Sequence, residues 1–257
     1  AMADGDGLII VSGILCGYVG NASAVTIPST VNRIGAYAFS DCSGLRSVVI
    51  PSSVTHIGRY AFLDCKELKS VTIPGCVESL SETFCSSVTE VTLADGVTRI
   101  KDGLFSGCHK ITSVTIPEGV TNIGDCAFEY CHGLSSVKLP KSLTSIGERA
   151  FSGCSGLKSV AIPVGVTSIG YGAFEDCTRL SLVVIPACVE RMSATFQGED
   201  VYSRISEVVI ADGVTSIADC AFSGCSGLES VVIPPSVTKI GDCAFYGCSR
   251  LKSVTIP

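Results

Sequence analysis

The sequence predicts an α/β repeat solenoid, β-dominated, and three observations predict it. All ten phenylalanines fall on one beat, at Phe39, Phe62, Phe84, Phe105, Phe128, Phe151, Phe174, Phe196, Phe222 and Phe245, with gaps of 21 to 26 residues. Short apolar alternations closed by proline, such as Val48-Val49-Ile50-Pro51, recur on the same beat. Eight of the fifteen cysteines stand three residues after a phenylalanine. A period in this range marks units that bury their apolar face only against neighbouring units. Such a stack offers long faces rather than one pocket, so function is sought on a face.

The elements follow in order. Leu8-Ile9-Ile10-Val11 and the run Ile14 to Val19 alternate around Ser12-Gly13, which predicts a hairpin. Residues 1–24 are therefore read as an N-terminal hairpin cap over the first coil, and residues 25–257 as a single solenoid of about ten coils. In the unit from Leu45 to Cys65, Val48 and Ile50 face inward on a short strand that Pro51 ends, because proline has no N–H for a ladder. Val54 and Ile57 predict a second, shorter strand on another side of the coil. Gly58 follows at a corner that needs either a positive φ or close backbone packing. Ala61, Phe62 and Cys65 then carry an apolar spacing of three, which predicts a short helical turn opposite the sheet. Strands stacked about 4.8 Å apart give ten coils a length of about 50 Å. The chain stops at Val254-Thr255-Ile256-Pro257, partway into an eleventh unit. That ending predicts a truncated array whose uncapped strand edge is open to end-to-end self-association.

Composition narrows the function classes. With 18 Lys and Arg against 24 Asp and Glu, a net charge of −6, the chain has no basic footprint for nucleic acid. Prolines, glycines and polar residues interrupt every apolar run before the roughly 18 residues that a membrane span needs, so no membrane insertion is expected. Ala1-Met2-Ala3 carries no basic segment followed by an apolar core, so no signal peptide is read there. No phosphate-binding loop, Ser/His/acid grouping or pair of catalytic carboxylates stands apart from the repeat, and the three histidines sit in repeat positions. Neither an enzyme nor a cofactor is expected.

The repeat L-x-x-V-x-I-P-x-x-V-x-x-I-G-x-x-A-F-x-x-C, running from Val25 to Pro257, resembles the BspA-like class of leucine-rich repeats of bacterial and protist surface proteins. The resemblance implies a right-handed superhelix with a parallel sheet on one face. It also implies a non-catalytic, adhesion-type role at the cell surface or after secretion, engaging a protein or glycan, with host matrix among the candidates. A stalk segment with no ligand of its own is the alternative.

Coils three and eight break the pattern together. Ile73-Pro-Gly-Cys76-Val-Glu matches Ile185-Pro-Ala-Cys188-Val-Glu at an offset of 112, whereas Leu93-Ala-Asp-Gly matches Ile210-Ala-Asp-Gly at 117. A five-coil block is thus duplicated, with five extra residues between Phe196 and Val208. Insertions at a coil edge project as loops and often carry recognition, which makes Glu199, Asp200, Tyr202 and Arg204 candidate contacts. On the strand face the outward residues are mainly Ser and Thr in the first half, but Leu182, Val184, Val209 and Val232 form an apolar strip in the second. Tyr37 and Tyr60 recur at one outward position on adjacent coils and offer a platform for a sugar or peptide, or simply for each other.

Cysteines at Cys42, Cys65, Cys108, Cys131, Cys154, Cys177, Cys225 and Cys248 predict a buried ladder of thiols. Cys220 and Cys243, two before the phenylalanine on adjacent coils, come close enough for a disulfide, although parallel side chains favour free thiols. His109 and His132 each follow a ladder cysteine, but inward cysteines and outward histidines do not make a shared metal site. Asp102, Asp125 and Glu148 form an acidic column, read as a solvated edge with weak Ca²⁺ binding as the alternative. Asn21-Ala22-Ser23 is a lone glycosylation acceptor.

Overall fold

The computed structural model describes residues 4–77, 88–185, 191–192 and 205–255, the pair 191–192 by backbone alone. The expectations placed on Phe84, Phe196, Ile256 and the loop residues Glu199, Asp200, Tyr202 and Arg204 lie outside the described residues.

The fully described coils meet their neighbours along three sides. The first is the strand face, which includes Ser47–Val49, Ser70–Ile73, Glu90–Leu93, Ser113–Thr115, Ser136–Lys138, Ser159–Ala161, Leu182–Ile185, Glu207–Ile210 and Ser230–Val232. The described pairings along it are parallel, and Val114 lies opposite Val91 on one side and Val137 on the other. That register is forced: a slip of one residue would turn every inward valine to solvent and every serine to the core. The second side carries two-residue strands such as Arg99–Ile100, Asn122–Ile123, Ser145–Ile146 and Ser168–Ile169, again parallel, with the isoleucine buried.

The third side corrects an expectation: no helix forms among the described residues. Around Phe128 the backbone makes overlapping four-residue turns instead, with N–H of Glu129 bonded to Cys126 O and N–H of Cys131 to Phe128 O. Alternate amides point out of the coil, so that N–H groups of Cys126, Phe128 and Tyr130 reach the carbonyls of Glu148, Ala150 and Ser152 on the next one. Positive φ angles of 54° at Cys126 and 58° at Tyr130 produce the alternation, two residues either side of the phenylalanine. A helix needs every residue on the negative-φ side. The same pair of positions is left-handed at Tyr37 and Asp41, at Gly103 and Gly107, and at Cys220 and Gly224.

The glycine at the corner follows the close-packing alternative. Gly58, Gly147 and Gly241 are absent from the positive-φ residues. A Cβ on Gly147 would stand 2.6 Å from the carbonyl carbon of Gly124 on the preceding coil. Real Cβ atoms do not approach backbone that closely, so the corner stacks only if it is bare.

The core lies between the three sides. Phe105, Phe128 and Phe151 are fully buried, and their rings stack 4.9 and 5.0 Å apart with planes within 7° of parallel. Each adds about 0.5–1.5 kcal/mol of ring contact to the burial of its own apolar area. At the N-terminal end, Leu8–Val11 and Ile14–Tyr18 form the expected antiparallel hairpin, turning at Ser12 (φ 49°) and Gly13 (φ 78°). Ile14 and Leu15 pair in parallel with Arg33 and Ile34, so the hairpin extends the second side of the stack. Leu8 and Leu15 of the hairpin are buried.

Candidate interaction surface

The strip on the strand face is built by register. Val184 lies opposite Val209, and Val209 opposite Val232, with Ala161 extending the column on the preceding strand. Inward neighbours Val183, Val208 and Val231 are buried, which holds the outward valines at a spacing of about 4.8 Å. Val209 is 41 % and Val232 64 % exposed, while Val184 is half-buried. Leu182 sits one column over, between Ser159 and Glu207, and is also half-buried. The three valines are therefore brought together and Leu182 flanks them. In the first half, Thr72, Thr92 and Thr115 fill the equivalent column and are exposed.

Tyr37 and Tyr60 lie elsewhere, on the turn side near the N-terminal end. Both occupy the left-handed position before phenylalanine, with φ of 59° and 56°. Their rings are 5.4 Å apart and tilted by 36°, and the Arg59 guanidinium stands 5.1 Å from the Tyr60 centroid. The pair thus packs on itself and takes a cation, a partner that sequence spacing did not bring to notice although Arg59 adjoins Tyr60. The structure does not bring it together with the valine column.

The thiol ladder is structural. Cys65, Cys131, Cys154 and Cys177 are buried, and each donates its S–H to the carbonyl of the phenylalanine one coil back, Phe39, Phe105, Phe128 and Phe151, at 3.0 to 3.2 Å. Burial pushes the Cys65 thiol up to about 12, with the neighbouring Cys42 adding to it. The thiols of Cys131, Cys154 and Cys177 are raised as well, first by burial. A reactive cysteine needs the opposite shift. Cys220 and Cys243 are free thiols. Cys108 is buried while His109 is exposed, so the two do not share a site. The acidic column is engaged with backbone: Asp102 accepts the amide of Asp125 at 3.1 Å, and Asp125 that of Glu148 at 2.8 Å. These carboxylates cap the next coil.

Residues 16–84, 83–201 and 200–257 match the BspA type leucine rich repeat region, in six copies. The chain belongs to the BspA-type leucine-rich repeat family. Similar solved structures include a leucine-rich cell surface protein of Faecalibacterium prausnitzii, 27 % identical, covering 100 % of this chain and 86 % of that one at a TM-score of 0.38. A leucine-rich repeat protein of Bacteroides ovatus is 28 % identical over 94 % of this chain and 81 % of its own, with a TM-score of 0.49. A leucine-rich repeat protein of T. pallidum is 27 % identical over 93 % and 83 %, with a TM-score of 0.36. No curated protein matches. In this BspA-type repeat the phenylalanine and cysteine columns are the inward signature, and the valine column is a feature of its second half alone.

Proposed function

We propose that this BspA-type repeat is a non-catalytic binding module of a cell-surface or secreted protein, taking a protein or glycan ligand on its strand face. The valine column Val184, Val209 and Val232 carries the reading: three register-aligned apolar side chains stand on a face whose other half is mainly polar, with Val49 its exposed apolar exception. A contiguous apolar patch with a polar surround is the usual mark of a protein contact. Leu182 flanks it, and the inserted segment with Glu199, Asp200, Tyr202 and Arg204 enters the chain between the strands that carry Val184 and Val209. Tyr37 and Tyr60, with Arg59 over the ring, offer a separate aromatic platform suited to a sugar face. The surface assignment is supported by the relative from F. prausnitzii, described as a cell surface protein. Thiols held protonated by burial, and carboxylates spent on backbone amides, support the absence of catalysis.

The spacer reading has its own support in the hydrogen-bonded ladders of up to five strands that tie described coils together and stiffen the stack. One experiment divides the two. The parent and a Val184→Ala/Val209→Ala/Val232→Ala variant are immobilised and exposed to a glycan array and to extracellular-matrix extract. Binding module predicts a component retained by the parent and weakened at least tenfold by the variant. Retention of nothing by the parent favours the spacer, and equal retention by the variant moves the contact off the strip.

A further inference from the structure

The strand face begins with Ala24–Thr26, whose one partner strand among the described residues is Ser47–Val49 on the next coil. In a parallel ladder successive residues of a strand address opposite sides. Ser23 O takes the amide of Ser47 at 3.1 Å and Ile27 N–H donates to Val49 O at 3.0 Å, and Val25, in register with Val48, faces the same way. The N–H and C=O groups of Ala24 and Thr26 therefore point away from the stack. Both residues are exposed. The hairpin extends the second side and not this one, through Ile14 and Leu15, while Tyr18 sets its ring 5.5 Å from that of Phe39. Beside the open edge lies a cleft of about 700 Å³, whose lining includes Ala24, Val25, Thr26, Tyr18, Asp4 and Asp6. That volume falls within the range of about 300–1,000 Å³ usual for ligand sites. Asp4 Oδ1 takes the amides of Asp6 and Leu8 at 3.0 and 2.8 Å, which fixes this carboxylate at the cleft. No Lys or Arg lines it.

We propose that the Ala24–Thr26 edge takes an extended peptide of another protein as an added strand, one in which apolar residues alternate with Lys or Arg. Main-chain hydrogen bonds to Ala24 and Thr26 supply the pairing, and alternate side chains supply the specificity. One set of those side chains falls beside Val25 and Tyr18, which suits apolar residues. The carboxylates of Asp4 and Asp6, with no cation in the lining, select a basic peptide over an acidic one. Free edges are commonly blunted by lysine or proline, and the strand Ala24-Val25-Thr26 carries neither. The edge belongs to the first coil and the valine column to the second half of the chain, so the two contacts are tested independently.

The probe is a fluorescein-labelled, C-terminally amidated peptide Lys-Val-Lys-Val-Lys, added to the intact chain and followed by anisotropy and by amide exchange. At saturation, exchange at Ala24 and Thr26 should slow at least tenfold, while Val25, which already faces Ser47–Val49, changes little. Only alternate peptide amides face the edge. Of two versions N-methylated at alternate residues, one should therefore lose binding at least tenfold and the other keep it. The peptide Glu-Val-Glu-Val-Glu should bind at least tenfold more weakly, and an Asp4→Asn/Asp6→Asn variant should weaken the lysine peptide by as much. Thr26→Pro deletes one outward donor and leaves the pairing to Ser47–Val49 in place, so it should abolish binding with a thermal melt close to the parent's. The proposal is overturned if the lysine peptide does not bind, if it leaves Ala24 and Thr26 unprotected, if the glutamate peptide binds as tightly, or if both N-methylated versions bind like the parent peptide. It is overturned equally if sedimentation finds a dimer in which these two amides are already protected, which gives the edge to a second copy. Amide exchange on the parent chain decides the question even if a variant fails to fold.

Discussion

At the scale of single residues, the ladder cysteines explain why this position takes sulfur. A thiol is small and apolar enough for full burial, yet its weak S–H reaches the second lone pair of the phenylalanine carbonyl that the local turn leaves over, as Cys154 does with Phe128 at 3.1 Å. Its ionisation carries a pH signature. The folded state holds Cys65 protonated from its ordinary 9.0 up to about 12, so between those values the native chain binds more protons than the unfolded one. The stability contributed by the buried neutral thiols is complete below about pH 9 and is lost as pH rises toward the folded values. Urea midpoints measured from pH 7 to pH 11 should therefore stay flat and then fall steeply above about pH 9. A Cys131→Ala/Cys154→Ala variant should be less stable at pH 7 and show a shallower alkaline fall; an unchanged slope would sink the account. These residues were legible in the sequence because fixed identity at a fixed position records an unvarying environment. The phenylalanine column was legible for the same reason.

Elements were legible in proportion to how far side-chain identity reports backbone shape. Strand pairs such as Val114 and Ile116, buried on one face of a run ended by proline, stand where alternation places them. The turn side escaped because its defining feature is a φ angle accepted by unlike residues: tyrosine at Tyr37, arginine at Arg149, cysteine at Cys243, glycine at Gly103. The one available signal was the alternation of Asp and Gly two residues after phenylalanine, at Asp64, Gly107, Gly153 and Asp176, residue types that tolerate the left-handed region. The corner glycine can be tested directly. Gly147→Ala must push a methyl into the Gly124 carbonyl carbon, whereas a Cβ on Gly44 meets nothing within 4 Å. Thermal melts should show Gly147→Ala destabilised by about 2 kcal/mol or more, as overpacking against rigid backbone requires, and Gly44→Ala close to the parent. Equal melts for the two would refute close packing as the reason for the corner glycine.

For the whole molecule, stacking means that each coil is stabilised only by its two neighbours. Phe151 touches Phe128 at 5.0 Å and Phe174 at 5.2 Å, so Phe151→Ala removes both ring contacts at the middle of the array. The cost should be about 3–5 kcal/mol. Amide exchange should locate it, with protection falling most in the coils holding Phe128, Phe151 and Phe174 and recovering outward. A uniform drop along the chain would mean that the solenoid unfolds as one globular unit instead. The stack was legible at this scale from the phenylalanine beat, but the surface was legible only in part. Outward positions were assignable from alternation, so the valine column was found with Leu182 in the row beside it; how far each side chain stands out was not, since Leu182 and Val184 are half-buried while Val209 and Val232 are exposed.

The turn side has one more property. Amides of Cys126, Phe128 and Tyr130 all point toward the following coil, as do those of Arg149, Phe151 and Gly153. In the neighbouring parallel strands each residue's N–H and C=O point the same way and alternate between partners, so their dipoles largely cancel. On the turn side they add, coil upon coil, as they do along an α-helix axis. The coils from Phe105 to Phe174 therefore carry a helix-like electric axis down one flank, although no helix occurs among the described residues, with the amide end partially positive and the carbonyl end partially negative. Along that run the flank has a sign at each end that backbone direction sets, in addition to whatever the charged side chains contribute.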